Sequence, residues 1–215
     1  NKATLPRVFD KMKLILETED DAVSARASSQ MTSVFNSWLA LVAWLAFAAS
    51  LLAPEVLNRL MPESYSPALP MMPWVIWGTA MHAMYLLPVN SLLYRKKTPL
   101  ISAISIGSAV LNIALNLVLI PRYQGMGAAL ATLIAYAVLA TGVWAQAHRH
   151  LPDSGPSAWL VRAGTLAAFA AATWTVIAVS TAWSPTIRLA AHCGLILASA
   201  VPVSVAVHRT LRSEL

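Results

Sequence analysis

Two histidines, His82 and His192, stand inside long apolar stretches that are also rich in serine. Nucleophilic hydrolysis needs a nucleophile beside a base, and general acid–base hydrolysis needs paired carboxylates. The residue types for a Ser–His dyad are present, but no spacing joins a particular serine to either histidine. The apolar stretches contain no carboxylate pair. The patterns HExxH, GxSxG and GxGxxG and the P-loop are absent. No enzymatic activity is expected on these grounds. The single cysteine, Cys193, cannot form an intrachain disulfide, and no Cys/His spacing suggests zinc. No metal or cofactor is expected either.

Polar residues within apolar stretches are the better signal, because an unsatisfied polar group in hydrocarbon is costly and turns toward a cavity or another helix. Ser105, Ser108, Asn112 and Asn116 step by three, four and four, which places them on one helix face. That face supports two readings. One is interhelical hydrogen bonding, at about 1 kcal/mol or less per contact. The other is the wall of a hydrophilic cavity that handles sugar hydroxyls. The first carries more weight, and the second names Ser108, Asn112 and Asn116 as substrate-cavity candidates. His82 and Tyr85 share a face at i, i+3, and Pro88 and Asn90 follow. Pro88 removes a backbone hydrogen bond and should kink its helix. His82, Tyr85 and Asn90 join the cavity candidates, although a structural role for His82 is the stronger reading. Gly127, Ala131 and Ala135 recur at steps of four and form a small-residue stripe suited to close helix packing.

The elements that position these residues follow from composition. Of 215 residues, 58% are hydrophobic and only 11% charged, and the mean hydropathy is +0.63. A soluble domain carries about 25% charged residues, so the bilayer is the expected solvent. Apolar runs cover residues 35–57, 69–94, 99–120, 125–147, 159–181 and 187–207. Each is near the roughly 20 residues of a spanning helix. An all-α polytopic bundle of about six transmembrane helices is therefore expected. Residues 1–33 differ. They mix charges with an apolar stripe at Val8, Phe9, Met12, Ile15 and Leu16, and read as a cytoplasmic amphipathic helix. Residues 34–147 would hold four spans, and residues 148–215 two more and a short tail.

Charge placement orients the set. With six spans, twelve Lys and Arg fall on one side and only Arg59, Arg122 and Arg188 on the other. The positive-inside rule then puts both ends in the cytoplasm. In this count Arg162 belongs to the cytoplasmic loop charges, and Asp and Glu fall in loops or at helix ends. No charge is left in the middle of a span. The net charge of +6 is thus a topology signal, and nucleic acid is not an expected partner. Membrane lipids are. Trp38, Trp74, Trp159 and Trp183 lie near span ends, as interfacial anchors do.

A family resemblance rests on three consecutive pieces. Tyr65-Ser66-Pro67-Ala68 precedes a span ending Asn90-Ser91-Leu92-Leu93-Tyr94-Arg95-Lys96-Lys97-Thr98. Leu111-Asn112-Ile113-Ala114-Leu115-Asn116-Leu117-Val118-Leu119-Ile120-Pro121 follows, and then Gly125-Met126-Gly127-Ala128-Ala129-Leu130-Ala131-Thr132. This order resembles O-antigen and exopolysaccharide flippases of the multidrug/oligosaccharidyl-lipid/polysaccharide exporter superfamily. The match covers about residues 60–145, and Leu5-Pro6-Arg7 resembles the exit from a preceding helix. The resemblance implies a dozen or more helices in two pseudo-symmetric lobes in the bacterial inner membrane. It implies flipping of undecaprenyl-pyrophosphate-linked oligosaccharide by alternating access, for O-antigen, capsule or exopolysaccharide synthesis. The partners it implies are the lipid-linked oligosaccharide, an N-terminal lobe of the same protein, and polymerase or glycosyltransferase machinery. The chain opens on Asn1 and reads as a C-terminal piece of such a protein. Two alternatives stand beside this one. One is a drug/cation antiporter of the same superfamily, which would want an acidic ion-coupling residue in a membrane cavity. The other is a structural membrane subunit without transport.

Overall fold

The computed structural model describes residues 10, 13, 21–148 and 156–212. The apolar stripe at positions 8, 9, 12, 15 and 16 lies outside the described residues. Six α-helices and one 3₁₀ segment make up the described fold, with no strand among these residues. They are α1 (Asp21–Leu60), the 3₁₀ segment (Glu63–Met71), α2 (Met72–Tyr85), α3 (Pro88–Tyr94), α4 (Thr98–His148), α5 (Pro156–Ser180) and α6 (Pro185–Arg212). Helix α1 is the axle. It packs against α5 and α6 on one side and against α2 on the other, and α2 and α3 in turn carry α4.

Four helices are long and apolar enough to cross a membrane, at 29–60, 98–147, 162–180 and 185–208. The sequence leads one to expect about six, and the difference lies in two places. The run at 69–94 is divided at Leu86 and Leu87, so α2 and α3 are each too short to qualify. The runs at 99–120 and 125–147 form two helical arms of α4 that reverse at a non-helical residue between them, so the expected division is kept although α4 counts once among the four.

The reversal turns on Gln124, at φ 51° and ψ −130°. These angles are those of the first central residue of a type II′ turn, a region that non-glycine residues rarely occupy. The two arms, 98–123 and 125–148, then run antiparallel. A Cβ placed on Gly127 would fall on the Leu119 carbonyl group and lie 2.9 Å from the Ile120 nitrogen. Ser108 Oγ donates to the Ala135 carbonyl at 2.7 Å. One turn farther out, a Cβ on Gly142 would meet Ile104 Cγ2 at 3.1 Å.

Pro88 breaks the second apolar run as its chemistry demands. It has no N–H for the Met84 carbonyl. Trp144 Nε1 donates to that carbonyl at 3.1 Å instead, and Trp38 Nε1 donates to the Ala83 carbonyl at 3.2 Å. Asn90 Nδ2 donates to Leu86 O at 2.8 Å and Ser91 Oγ to Pro88 O at 2.7 Å. The kink is therefore held by side chains of α1, α3 and α4, and Trp38 serves it directly. Beyond α3, Lys96 takes φ 56°, and the Lys97 nitrogen donates to Leu92 O at 2.9 Å. This is the six-to-one bond of a Schellman stop, with lysine where glycine is usual.

Replacing Trp144 by Phe keeps the ring and removes the donor. The Met84 carbonyl is then stranded, at a cost of about 1–3 kcal/mol. In a Pro88→Ala background the restored N–H serves that carbonyl, so the same substitution should cost markedly less. Unfolding of the two single variants and the double variant in mixed micelles measures this coupling. Additive losses would refute the assignment.

Two apolar clusters surround the kink. Met31, Phe35, Val89, Leu92, Ile101, Leu139 and Val143 form one, and Leu39, Val42, Ala46, Trp77, Ala80, Met84 and Ala140 the other. The first arm of α4 contrasts with both. Ile106, Val110, Ile113 and Leu117 are 59–73% exposed, so one apolar face of that arm is uncovered along its length.

Candidate functional site

The polar stripe of α4 meets the hairpin's own second arm at Ser108. Ser108 is buried and bonded to the Ala135 carbonyl. Asn116 Nδ2 donates to Asn112 Oδ1 at 2.6 Å, one turn apart on the same arm. Ala131 and Ala135 are fully buried and Gly127 is buried at the tip, so the small-residue stripe lets the arms approach. Interhelical bonding thus accounts for Ser108. Asn116 Oδ1 is buried without a hydrogen-bond partner among the described residues.

His82 lies half-buried on α2. Its ring centroid is 5.8 Å from that of Tyr85 and 4.8 Å from that of Tyr136 on the second arm of α4. The i, i+3 pair therefore becomes a three-ring cluster between two helices. Asn90 belongs to the Pro88 kink and holds its own helix.

Ionisable residues gather elsewhere, where α1, α5 and α6 meet. Pro54 in α1 cannot donate to the Ser50 carbonyl, about one turn above Glu55. His192 of α6 approaches there, with Nδ1 3.2 Å from the Leu51 carbonyl and Nε2 3.1 Å from Ser180 Oγ of α5. A carbonyl only accepts, so Nδ1 carries a proton. Ser180 Oγ also lies 3.3 Å from the Ile177 carbonyl. Arg188, one turn before His192, forms an ion pair through Nε with Glu55 Oε1. Glu55 is 6% exposed, His192 3% and Ser180 2%. Ser50 is fully buried, and its hydroxyl has no partner among the described residues.

These groups line a half-open cavity of about 390 Å³ together with Asn58, Trp174, Pro70 and Pro73. A water occupies about 30 Å³ of liquid, so the cavity accommodates several. Trp174 is braced from behind by Trp74, with ring centroids 4.5 Å apart.

Two expectations change here. Glu55 stands near the end of α1, as expected of an acid here, but it is buried rather than beside water. Arg162 is 8% exposed rather than a loop charge. Its Nε donates to Asn36 Oδ1 at 2.9 Å, and its guanidinium lies 5.2 Å from the Trp144 ring centroid. One signal was visible in the sequence: Arg188 and His192 at i, i+4 share a helix face. Their partner Glu55, more than a hundred residues away, was not visible there.

No family model matches this chain, and neither a curated protein nor a solved structure is similar to it.

Proposed function

We propose that this chain is one lobe of a multi-pass transporter of the bacterial inner membrane. Its cargo in this reading is an undecaprenyl-pyrophosphate-linked oligosaccharide. The lobe makes six crossings with both ends cytoplasmic, α2 with α3 counting as one and the two arms of α4 as two. The antiparallel arms and the twelve-to-three distribution of Lys and Arg support that count.

The observation that carries the reading is the first arm of α4. Its apolar face is bare from Ile106 to Leu117, and beside it the half-buried Asn112 and Asn116 form an amide pair. A bare apolar face beside a polar pair suits a second lobe across the arm, with the sugar hydroxyls of a lipid-linked glycan between the two lobes. The segment from Leu111 to Thr132 that resembles polysaccharide flippases is this same arm and its turn. Transport then proceeds by rocking of the lobes, with polymerase or glycosyltransferase machinery as neighbours.

The test uses the full-length protein reconstituted in vesicles, with Asn112 and Asn116 both replaced by Leu. Glycolipid transport should fall at least tenfold at normal expression, equivalent to about 1.4 kcal/mol. Unchanged transport would remove the two residues from the path.

A second reading is favoured by one finding. Buried Glu55 beside a cavity is the acidic residue that an ion-coupled antiporter of the same superfamily would want. Transport of organic cations with no glycolipid movement would select it.

A further inference from the structure

We infer that His192 is a proton-binding site, loaded from the cavity at the junction of α1, α5 and α6 through the Ser180 hydroxyl. The geometry accommodates two protonation states without loss of a contact. In the neutral state Nδ1–H donates to the Leu51 carbonyl, and the Ser180 hydroxyl donates to Nε2. In the charged state Nε2–H donates to Ser180 Oγ, and the Ser180 hydroxyl turns to the Ile177 carbonyl 3.3 Å away. Rotation of one hydroxyl is the only rearrangement required.

The proton balance is simple. A hydronium in the cavity gives its proton to Ser180 Oγ, and the proton already on Ser180 passes to His192 Nε2. One water remains in the cavity, and one positive charge moves onto the ring. Loss of the proton retraces the path.

The surroundings suit a charge that comes and goes. Glu55 from α1 and Arg188 from α6 are the charged groups lining the cavity; α5 contributes Ser180, Thr181 and Trp174, and the 3₁₀ segment and α2 contribute Leu69, Pro70 and Pro73. Glu55 pairs with Arg188 and lines the same cavity as the ring. Both ring nitrogens are already taken by Leu51 and Ser180, so these contacts hold the proton, not an ion pair with Glu55. The site binds its proton whatever the chain moves, so it stands apart from the choice between glycolipid and cation cargo.

Nuclear magnetic resonance of the full chain in nanodiscs, labelled with ¹⁵N at its five histidines, reads the site directly. His192→Gln identifies the His192 signals. A nitroxide on Cys193, which is exposed and next in sequence, identifies them independently should that variant not fold. His192 should pass from a single neutral tautomer, protonated at Nδ1, to the imidazolium as the pH is lowered across the range in which the chain stays folded. Ser180→Ala, which removes the hydroxyl between the cavity and Nε2, should change that titration. A ring that stays in one neutral form throughout that range overturns the proposal, as does a titration unchanged in Ser180→Ala. Transport is assayed separately, so failure of the site and failure of the transporter reading give different results.

Discussion

Glu55→Ala should destabilise the fold by on the order of 3–5 kcal/mol, the cost of leaving one member of a buried ion pair without its partner. The Arg188 side chain is 25% exposed and that of Glu55 only 7%, so α1 carries the more deeply buried half of the pair. Removing the carboxylate leaves a guanidinium facing a mostly apolar cavity. Removing both charges is a different matter. Glu55→Gln with Arg188→Met replaces the pair by neutral groups of similar volume, and such replacements are often neutral or stabilising by about 1–4 kcal/mol. The double variant should therefore recover most of the loss. Reversible unfolding in mixed micelles gives both numbers. A single-variant loss below about 1 kcal/mol would mean that the pair behaves as a solvated surface contact. The result bears on function, because a pair that costs stability when split and little when deleted together is retained for something other than folding.

Gly127→Ala should be the most damaging small substitution in the chain. Its Cβ would fall on the backbone of Leu119 and Ile120, and backbone, unlike a side-chain tip, has no rotamer to move aside. Overpacking of this kind costs about 1–3 kcal/mol where side chains can shift, and more where they cannot. The arms of α4 would have to separate at their tip, which weakens the Ser108–Ala135 bond along the hairpin. Gly107→Ala is the matched control. A Cβ there meets nothing within 4 Å, and alanine is the better helix former by about 1 kcal/mol. The two variants should thus move stability in opposite directions. Equal effects would show that the arms do not pack as described.

Pattern carried the architecture a long way. The steps of Ser105, Ser108, Asn112 and Asn116 and of Gly127, Ala131 and Ala135 are local, and a helix turns local spacing into a face. That the two faces meet was not local. The break between Pro121 and Gly125 marked the reversal, but not how closely the two arms pack after Gln124 turns the chain. Likewise Pro88 announced a kink, but nothing in sequence paired the freed Met84 carbonyl with an indole sixty residues later.

What the sequence by itself determined is the helical class, the apolar runs, the break at Pro88 and the asymmetry of charge. Each depends on residue type or on spacing within a few turns. The tertiary structure decided which charges are buried. Glu55 and Arg188 both stand near helix ends, where sequence places them in loops beside water. Only the packing of α6 and α5 against α1 encloses them with His192 and Ser180. The reason is physical: a charge tolerates burial when its partner is fixed beside it, and partners more than a hundred residues apart are joined only by the fold.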